Sequence, residues 1–251
     1  MLPTGVGDLA CGEEGAGRMA SPEVIMTAVR RAYAGLAAGP LAGRKVVVTA
    51  GGTREAIDAV RYIGNRSSGK MGRAVADEAY LRGAEVVLVT TQSGDEAAYR
   101  RVVVESAAEM SEAVTRESAD AGVLVMAAAV ADYRPEAVSE GKLSRADSPE
   151  LTLRLVPTVD ILAQTRRTGL VRVGFAAEAG SRIDRARAKK AAKGCDLLVF
   201  NDILAAGIGI GSEENEVTIL TPTREVHVPR TSKAACARAI LDEVETVVAG
   251  R

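Results

Sequence analysis

The sequence predicts an α/β fold, a mostly parallel sheet with helices on both faces and a C-terminal edge hairpin. Three observations lead there. Between Lys45 and Leu241, short β-branched runs alternate with alanine-rich stretches of helical spacing, separated by glycine or polar breaks. The runs are mostly apolar, as strands buried on both faces of a parallel sheet must be. Near the end the rhythm changes, and two polar/apolar alternations flank the turn-like Thr221-Pro222-Thr223.

Taken in order, the predicted strands are Lys45–Thr49, Glu85–Thr90, Gly122–Met126, Arg172–Phe175 and Asp196–Phe200. Helices are predicted over Gly69–Arg82, Ala107–Ser118, Ile161–Arg166, Arg182–Lys193 and Ser232–Val248. Glu216–Leu220 and Glu225–Val228 form the hairpin added to the sheet edge. The arrangement is Rossmann-like, and in such sheets ligands bind beyond the carboxyl ends of the strands. Residues 1–40 differ: rich in Gly and Ala, with one helix predicted over Pro22–Gly35 and no strand, they read as a tail or linker ahead of a domain spanning 41–251.

Composition narrows the function classes. With 251 residues and 47% hydrophobic content the chain can bury a substantial core. Its 32 basic and 33 acidic side chains leave a formal charge of −1, so no global field favours nucleic acid or an anionic membrane. An anionic ligand must therefore be caught locally. Cys11, Cys195 and Cys236 are far apart, without a CxxC pair or a histidine cluster, which argues against a zinc site or a disulfide framework. The lone His227 sits in an alternating run and reads as a strand residue. No apolar run approaches the roughly 20 residues that span a bilayer, and no signal peptide is visible, so the cytoplasm is the expected compartment.

The strand exits carry the chemistry. After the first strand, Gly51 and Gly52 in a TAGGTRE turn permit close backbone approach. Next comes Arg61-Tyr62-Ile63-Gly64-Asn65-Arg66-Ser67-Ser68-Gly69-Lys70-Met71-Gly72. Ser67 or Ser68 is placed to cap the helix starting near Gly69, whose amides and dipole offer an anion site reinforced by Arg61, Arg66 and Lys70. The alternative is a capped loop with solvated basic residues. Asn65 either satisfies its own turn or holds a carbonyl and a phosphate oxygen together. The third strand exits through Met126, Ala127 and Ala128, small enough to seat a flat ligand, to Asp132, which meets a ribose, a metal-bound phosphate or a basic neighbour, or caps a turn. The polar stretch Glu136 to Pro149, with Lys142 and Arg145, reads as a flap. Phe175 is a stacking face or a core residue. Lys189 and Lys193, four apart, share a helix face that reaches a polyphosphate or is simply solvated.

Together these segments resemble the phosphopantothenoylcysteine synthetase family: TAGGTRE, NRSSGKMG, AAAVADYRP, the flap lysine, GFAAE, and a lysine-rich helix before CDLLVFND, in matching order from about Leu41 onward. The resemblance implies CTP-dependent ligation of 4'-phosphopantothenate to cysteine in coenzyme A biosynthesis, through an acyl-cytidylate. It assigns Lys142 to triphosphate stabilisation, and Asn65 with Arg61 to binding and converting the acyl-cytidylate. The cytidine nucleotide site would comprise Met126, Ala127, Ala128, Asp132, Val159, Asp160, Ile161, Leu162, Phe175, Lys189 and Lys193. Gly51, Gly52, Ser67, Ser68 and Gly69 form the substrate and phosphate loop. Magnesium accompanies the CTP, with no protein ligands assigned, and a homodimer is implied.

Two departures stand out. Relatives often continue with further basic residues where this chain has Leu143-Ser144, and often carry Lys-Asn-Pro-Asp-Ile-Leu where it reads Pro157-Thr158-Val159-Asp160-Ile161-Leu162. Pro157 supplies neither an ammonium nor a backbone donor. The stretch Leu9 to Met19, containing Cys11, is similar to a late active-site loop of phosphopantothenoylcysteine decarboxylase, a flavin enzyme fused ahead of the synthetase in many bacteria. The flavin-binding part of that fold is absent from these residues, so no flavin is expected, and the chain reads as part of a bifunctional protein. Among rivals, a short-chain NAD(P)-dependent reductase lacks its Tyr-x-x-x-Lys pair, since Tyr133 is followed four residues later by Ala137 and Tyr62 by Arg66, and no compact GxGxxG follows the first strand. A non-catalytic nucleotide-binding module differs by turnover.

Overall fold

Valine-rich runs in the middle of the chain do form the centre of a sheet. The computed structural model describes residues 4–8, 11, 13–34, 39–93, 96–144, 150–178, 180, 183–202 and 211–251. In chain order the elements begin with strands β1 (Gly5–Asp8) and β2 (Glu14–Arg18) and helix α1 (Pro22–Ala34). They continue with β3 (Lys45–Ala50), β4 (Arg54–Ala56), β5 (Tyr62–Gly64), α2 (Lys70–Leu81), β6 (Glu85–Thr90), β7 (Arg100–Val103), α3 (Ala107–Ser118) and β8 (Val123–Met126). Then follow β9 (Tyr133–Pro135), β10 (Leu155–Pro157), α4 (Ile161–Gln164), β11 (Val171–Glu178), α5 (Ile183–Lys193), β12 (Leu197–Asp202), β13 (Glu214–Leu220), β14 (Glu225–Ser232) and α6 (Lys233–Ala249).

The main sheet has eight strands in the order β14-β13-β12-β11-β8-β3-β6-β7. From β12 to β7 all neighbours are parallel, and the antiparallel β13–β14 hairpin closes the far edge, as its alternating sequence requires. Successive side chains point to opposite faces. Val46, Val48, Val86, Leu88, Val123 and Val125 therefore pack with α2 and α6, while Val47, Val87, Val89 and Leu124 pack with α3 and α4. Phe200, Leu198 and Leu220 meet α5 on the second face. The chain runs outward from β3 through β6 to β7, then returns to the other side of β3 with β8. That reversal opens a crevice between the carboxyl ends of β3 and β8, where the fold places ligands.

Several expectations are corrected. Residues 1–40 were expected to hold no strand, yet β1 and β2 form an antiparallel hairpin; paired backbone rather than apolar alternation defines it, so the Gly- and Ala-rich sequence hides it. Helix α1 is docked rather than trailing: the Arg31 guanidinium donates to the carbonyls of Tyr80 (3.1 Å), Gly83 (3.1 Å) and Ala84 (2.8 Å) around the end of α2. Edge strand β7 was missed because Arg100-Arg101 leads its short apolar pair. Strand β11 runs three residues past Phe175, since Ala176, Ala177 and Glu178 continue to pair with β12. Arg145, Arg182 and parts of the Leu9 to Met19 motif lie outside the described residues.

Candidate active site

The crevice is a cleft of about 640 Å³ lined by the loop into α2, the exit of β8, the β10–α4 turn, β11, α5 and β12. Its first wall depends on two glycines. A Cβ on Gly52 would run into the Asn65 backbone carbonyl, so only glycine lets the TAGGTRE turn lie against the Asn65 loop. Gly69 caps α2 with φ 72°, a left-handed conformation most residues avoid. The expected serine cap is therefore corrected: no side chain caps α2, and Ser67 Oγ instead accepts from the Gly69 amide at 3.3 Å. Ser67, Ser68 and Gly69 nevertheless face the cleft.

The second wall is the alanine loop after β8. Thr49 Oγ1 accepts from the Ala128 amide (3.0 Å) and Thr53 Oγ1 from the Ala131 amide (2.9 Å), while Ala129 donates to the Gly51 carbonyl (2.8 Å). These bonds fix the backbone of Ala127 to Ala131 as a side-chain-poor ledge. Asn65 does not satisfy its own turn. Its amide donates to the Val130 carbonyl at 2.9 Å and so ties the two walls together. Thr158 closes the third side, its hydroxyl donating to the Ala131 carbonyl (2.5 Å) and its amide to the Asp132 carbonyl (3.0 Å). Pro157 thus costs the loop no anchor, because the next residue provides it.

Opposite lie the cations. Lys189 and Lys193 both line the cleft and are half-buried there, so their shared face turns toward it. Lys193 Nζ meets Asp160 Oδ2 at 2.6 Å, and Asp160 also caps α4 by accepting from the Ala163 amide at 3.2 Å. Partial burial raises the Asp160 carboxyl, but Lys193 and that amide outweigh it and hold the group below its ordinary range. Phe175 lines the cleft from within β11, not from its end, beside Met126, Ala127, Ala128, Asp132, Val159, Ile161 and Leu162.

Four expected site residues are not in the cleft wall. Gly51 and Gly52 lie beneath it, shaping the turn. Arg61 pairs with Asp58, whose side chain is 0% exposed, and Lys142 is exposed on the segment after Pro135. That segment is anchored more firmly than its polar sequence suggests: Leu143 donates to Asp58 Oδ2 (3.1 Å) and Ser139 to the Ile57 carbonyl (3.1 Å).

Other lining residues went unread. Asn201, the last residue but one of β12, obeyed the strand-exit rule already applied to its neighbours. Asn215 and Lys233 come from β13 and the start of α6, brought in by topology alone. Burial and the charge of Lys70 lower the Lys233 ammonium against the pull of Glu213.

Among the described residues no cluster of three or more His, Cys, Asp or Glu is present. Among the described residues, Asp132 and Asp160 are the carboxylates that line the cleft, and Lys193 pairs with the latter. Such a donor set suits a magnesium ion carried in by phosphates and water, not one caged by protein. Among the described residues no helix is long and apolar enough to cross a membrane.

Comparison with known proteins agrees with this geometry. A sequence profile of the DNA/pantothenate metabolism flavoprotein C-terminal domain matches residues 41–248. The chain is 40% identical over 248 residues to the coenzyme A biosynthesis bifunctional protein CoaBC of Vibrio vulnificus, covering 96% of this chain and 61% of that protein. It is 40% identical over 244 residues to CoaBC of Bacillus subtilis, covering 95% and 60%. The chain thus spans about three fifths of the length of these curated relatives. The crystal structure of a CoaBC C-terminal domain superposes with a TM-score of 0.72 at 34% identity, covering 85% of this chain and all of that one. A Cab2 mutant in complex with phosphopantothenate-cysteine shares the fold, with a TM-score of 0.68 at 12% identity.

Proposed function

The chain belongs to the DNA/pantothenate metabolism flavoprotein C-terminal domain family, and we propose that its cleft joins 4'-phosphopantothenate to cysteine at the expense of CTP. One observation carries the reading: the small-residue ledge of Ala127 to Ala131, bonded to Asn65 on one side, faces Lys189 and Lys193 on the other across a single cleft. A nucleotide fits that shape. The base lies on the ledge and beside Phe175, with its polyphosphate toward the lysines and the amides of the loop into α2.

The chemistry follows from positioning. A carboxylate oxygen of phosphopantothenate attacks the α-phosphorus, the bond to the bridging oxygen breaks, and pyrophosphate leaves; magnesium held by the phosphates would neutralise their charge. The cysteine amine then attacks the acyl carbon, the acyl–oxygen bond breaks, CMP leaves, and the amine proton passes to solvent. Asn65, held by Val130, orients the mixed anhydride. Lys142 and Arg61, both outside the cleft lining, would add their positive charge to the phosphates. Among the described residues no nucleophilic dyad lines the cleft, which suits a reaction driven by orientation and charge neutralisation.

The partners belong to the same proposal. Tyr62 on the β4–β5 ladder and Tyr133 and Leu155 on the β9–β10 ladder are exposed, with exposed Val60, Leu151 and Leu153 in the segments leading into those strands, and the two ladders touch through β4 and β9; such an apolar surface is of the kind that a second copy covers in a homodimer. A flavin-dependent decarboxylase adjoins this domain in the full-length protein, and the compartment is the cytoplasm. The test is pyrophosphate release. It should require CTP and phosphopantothenate together and fall by at least about tenfold with ATP or UTP. CTP binding without phosphopantothenate-dependent release would leave a nucleotide-binding module instead.

A further inference from the structure

We propose that Asp58 is a positioning residue: its buried carboxylate clamps Arg61 to the Leu143 backbone and thereby sets both Arg61 and the adjacent Lys142 for the reaction. The inference rests on the synthetase reading for its chemistry, but its geometry stands alone. Asp58 Oδ1 accepts from the amides of Val60 (2.8 Å) and Arg61 (2.7 Å). Oδ2 accepts from Arg61 Nε (2.9 Å), from Arg61 Nη2, and from the Leu143 amide (3.1 Å). Arg61 Nη2 also donates to the Leu143 carbonyl at 2.7 Å.

Leu143 is therefore gripped at both its polar backbone atoms, by the acid and by the base of one ion pair. A two-oxygen carboxylate with about four lone-pair directions is fully committed by these donors. The two oxygens divide the work. Oδ1 holds the local turn, an ordinary task for a loop aspartate. Oδ2 reaches 85 residues along the chain to the segment carrying Lys142. A purely local turn needs only the first. The planar guanidinium meets Asp58 Oδ2 through both Nε and Nη2 while Nη2 also reaches the Leu143 carbonyl, a fixed fork that a lysine ammonium does not reproduce.

The division makes the test clean. Asp58→Asn can keep its oxygen on the turn amides, but its NH2 then opposes the guanidinium and the Leu143 amide. Arg61→Lys keeps the charge and loses the fork. Hydrogen exchange of the Leu143 amide should accelerate by about tenfold or more in both variants, while amides of the β3 core stay protected. In half-reaction assays, Asp58→Asn should slow turnover by about 10- to 100-fold, the loss a misplaced group produces. The loss in Asp58→Asn combined with Arg61→Ala should be clearly smaller than the product of the two single losses, because the two side chains hold one segment together. Unchanged Leu143 exchange, or losses that multiply in the double variant, would overturn the clamp. If wild-type protein releases no pyrophosphate from CTP and phosphopantothenate, the synthetase reading falls, and the exchange measurement still decides the clamp.

Discussion

Asp58 and Asn65 show how single polar side chains hold this site together. The Arg61 side chain, helped by the amides of Val60, Arg61 and Leu143 and opposed by burial, holds the Asp58 carboxyl far below the usual carboxylate range. A depressed folded-state value means the ionised group favours the folded chain wherever the unfolded group is already ionised. That contribution is complete above about pH 4, the ordinary aspartate value, and fades as pH falls below it toward the folded value. Asp58→Asn should thus be clearly less stable than wild type in urea at pH 7, with the gap narrowing at pH 3; an equal gap at both would refute the assignment. Asn65, Lys189 and Lys193 were legible in the sequence because each sits at a strand exit or on a helix face with regular spacing. Asp58 was not. Three residues before an arginine in a loop, it looks like any turn aspartate until the chain brings Leu143 against it.

Elements buried on both sheet faces announced themselves. The β3, β6 and β8 runs, the helix over Ala107–Ser118 and the edge hairpin were readable because burial leaves a periodic apolar signature. The short ladders β4–β5 and β9–β10 were not, since two three-residue strands are defined by backbone pairing and carry no period. The close packing of loops was half legible: the paired glycines signalled it, but not which loop would approach. Gly52→Ala should test that approach. Its methyl must displace the Asn65 carbonyl, which should lower stability by about 1–3 kcal/mol in denaturant unfolding and weaken nucleotide binding. Full retention of both would show that the two loops have room to part. Residues 1–40 were read as a tail, whereas Arg31 anchors α1 on the carbonyls at the end of α2.

The whole molecule is a switch-point sheet whose rim carries an apolar patch beside the flap segment. Tyr62, 56% exposed, and Tyr133, 55% exposed, stand on neighbouring ladders, Tyr62 next in the chain to Arg61. A second copy seated there would touch the very segment that carries Arg61. Tyr62→Asp with Tyr133→Asp should convert a dimer to a monomer in analytical ultracentrifugation and reduce ligation in parallel; a dimer that survives both changes would move the interface elsewhere. If one cleft performs both steps in succession, rapid-quench turnover with CTP labelled at the α-phosphate should catch the intermediate between them. Mixed with phosphopantothenate and no cysteine, the enzyme should accumulate a labelled acyl-cytidylate at up to one per active site, which cysteine then discharges to CMP and phosphopantothenoylcysteine. Labelled CMP formed only together with product, with no acyl-cytidylate at any time or in the absence of cysteine, would contradict it.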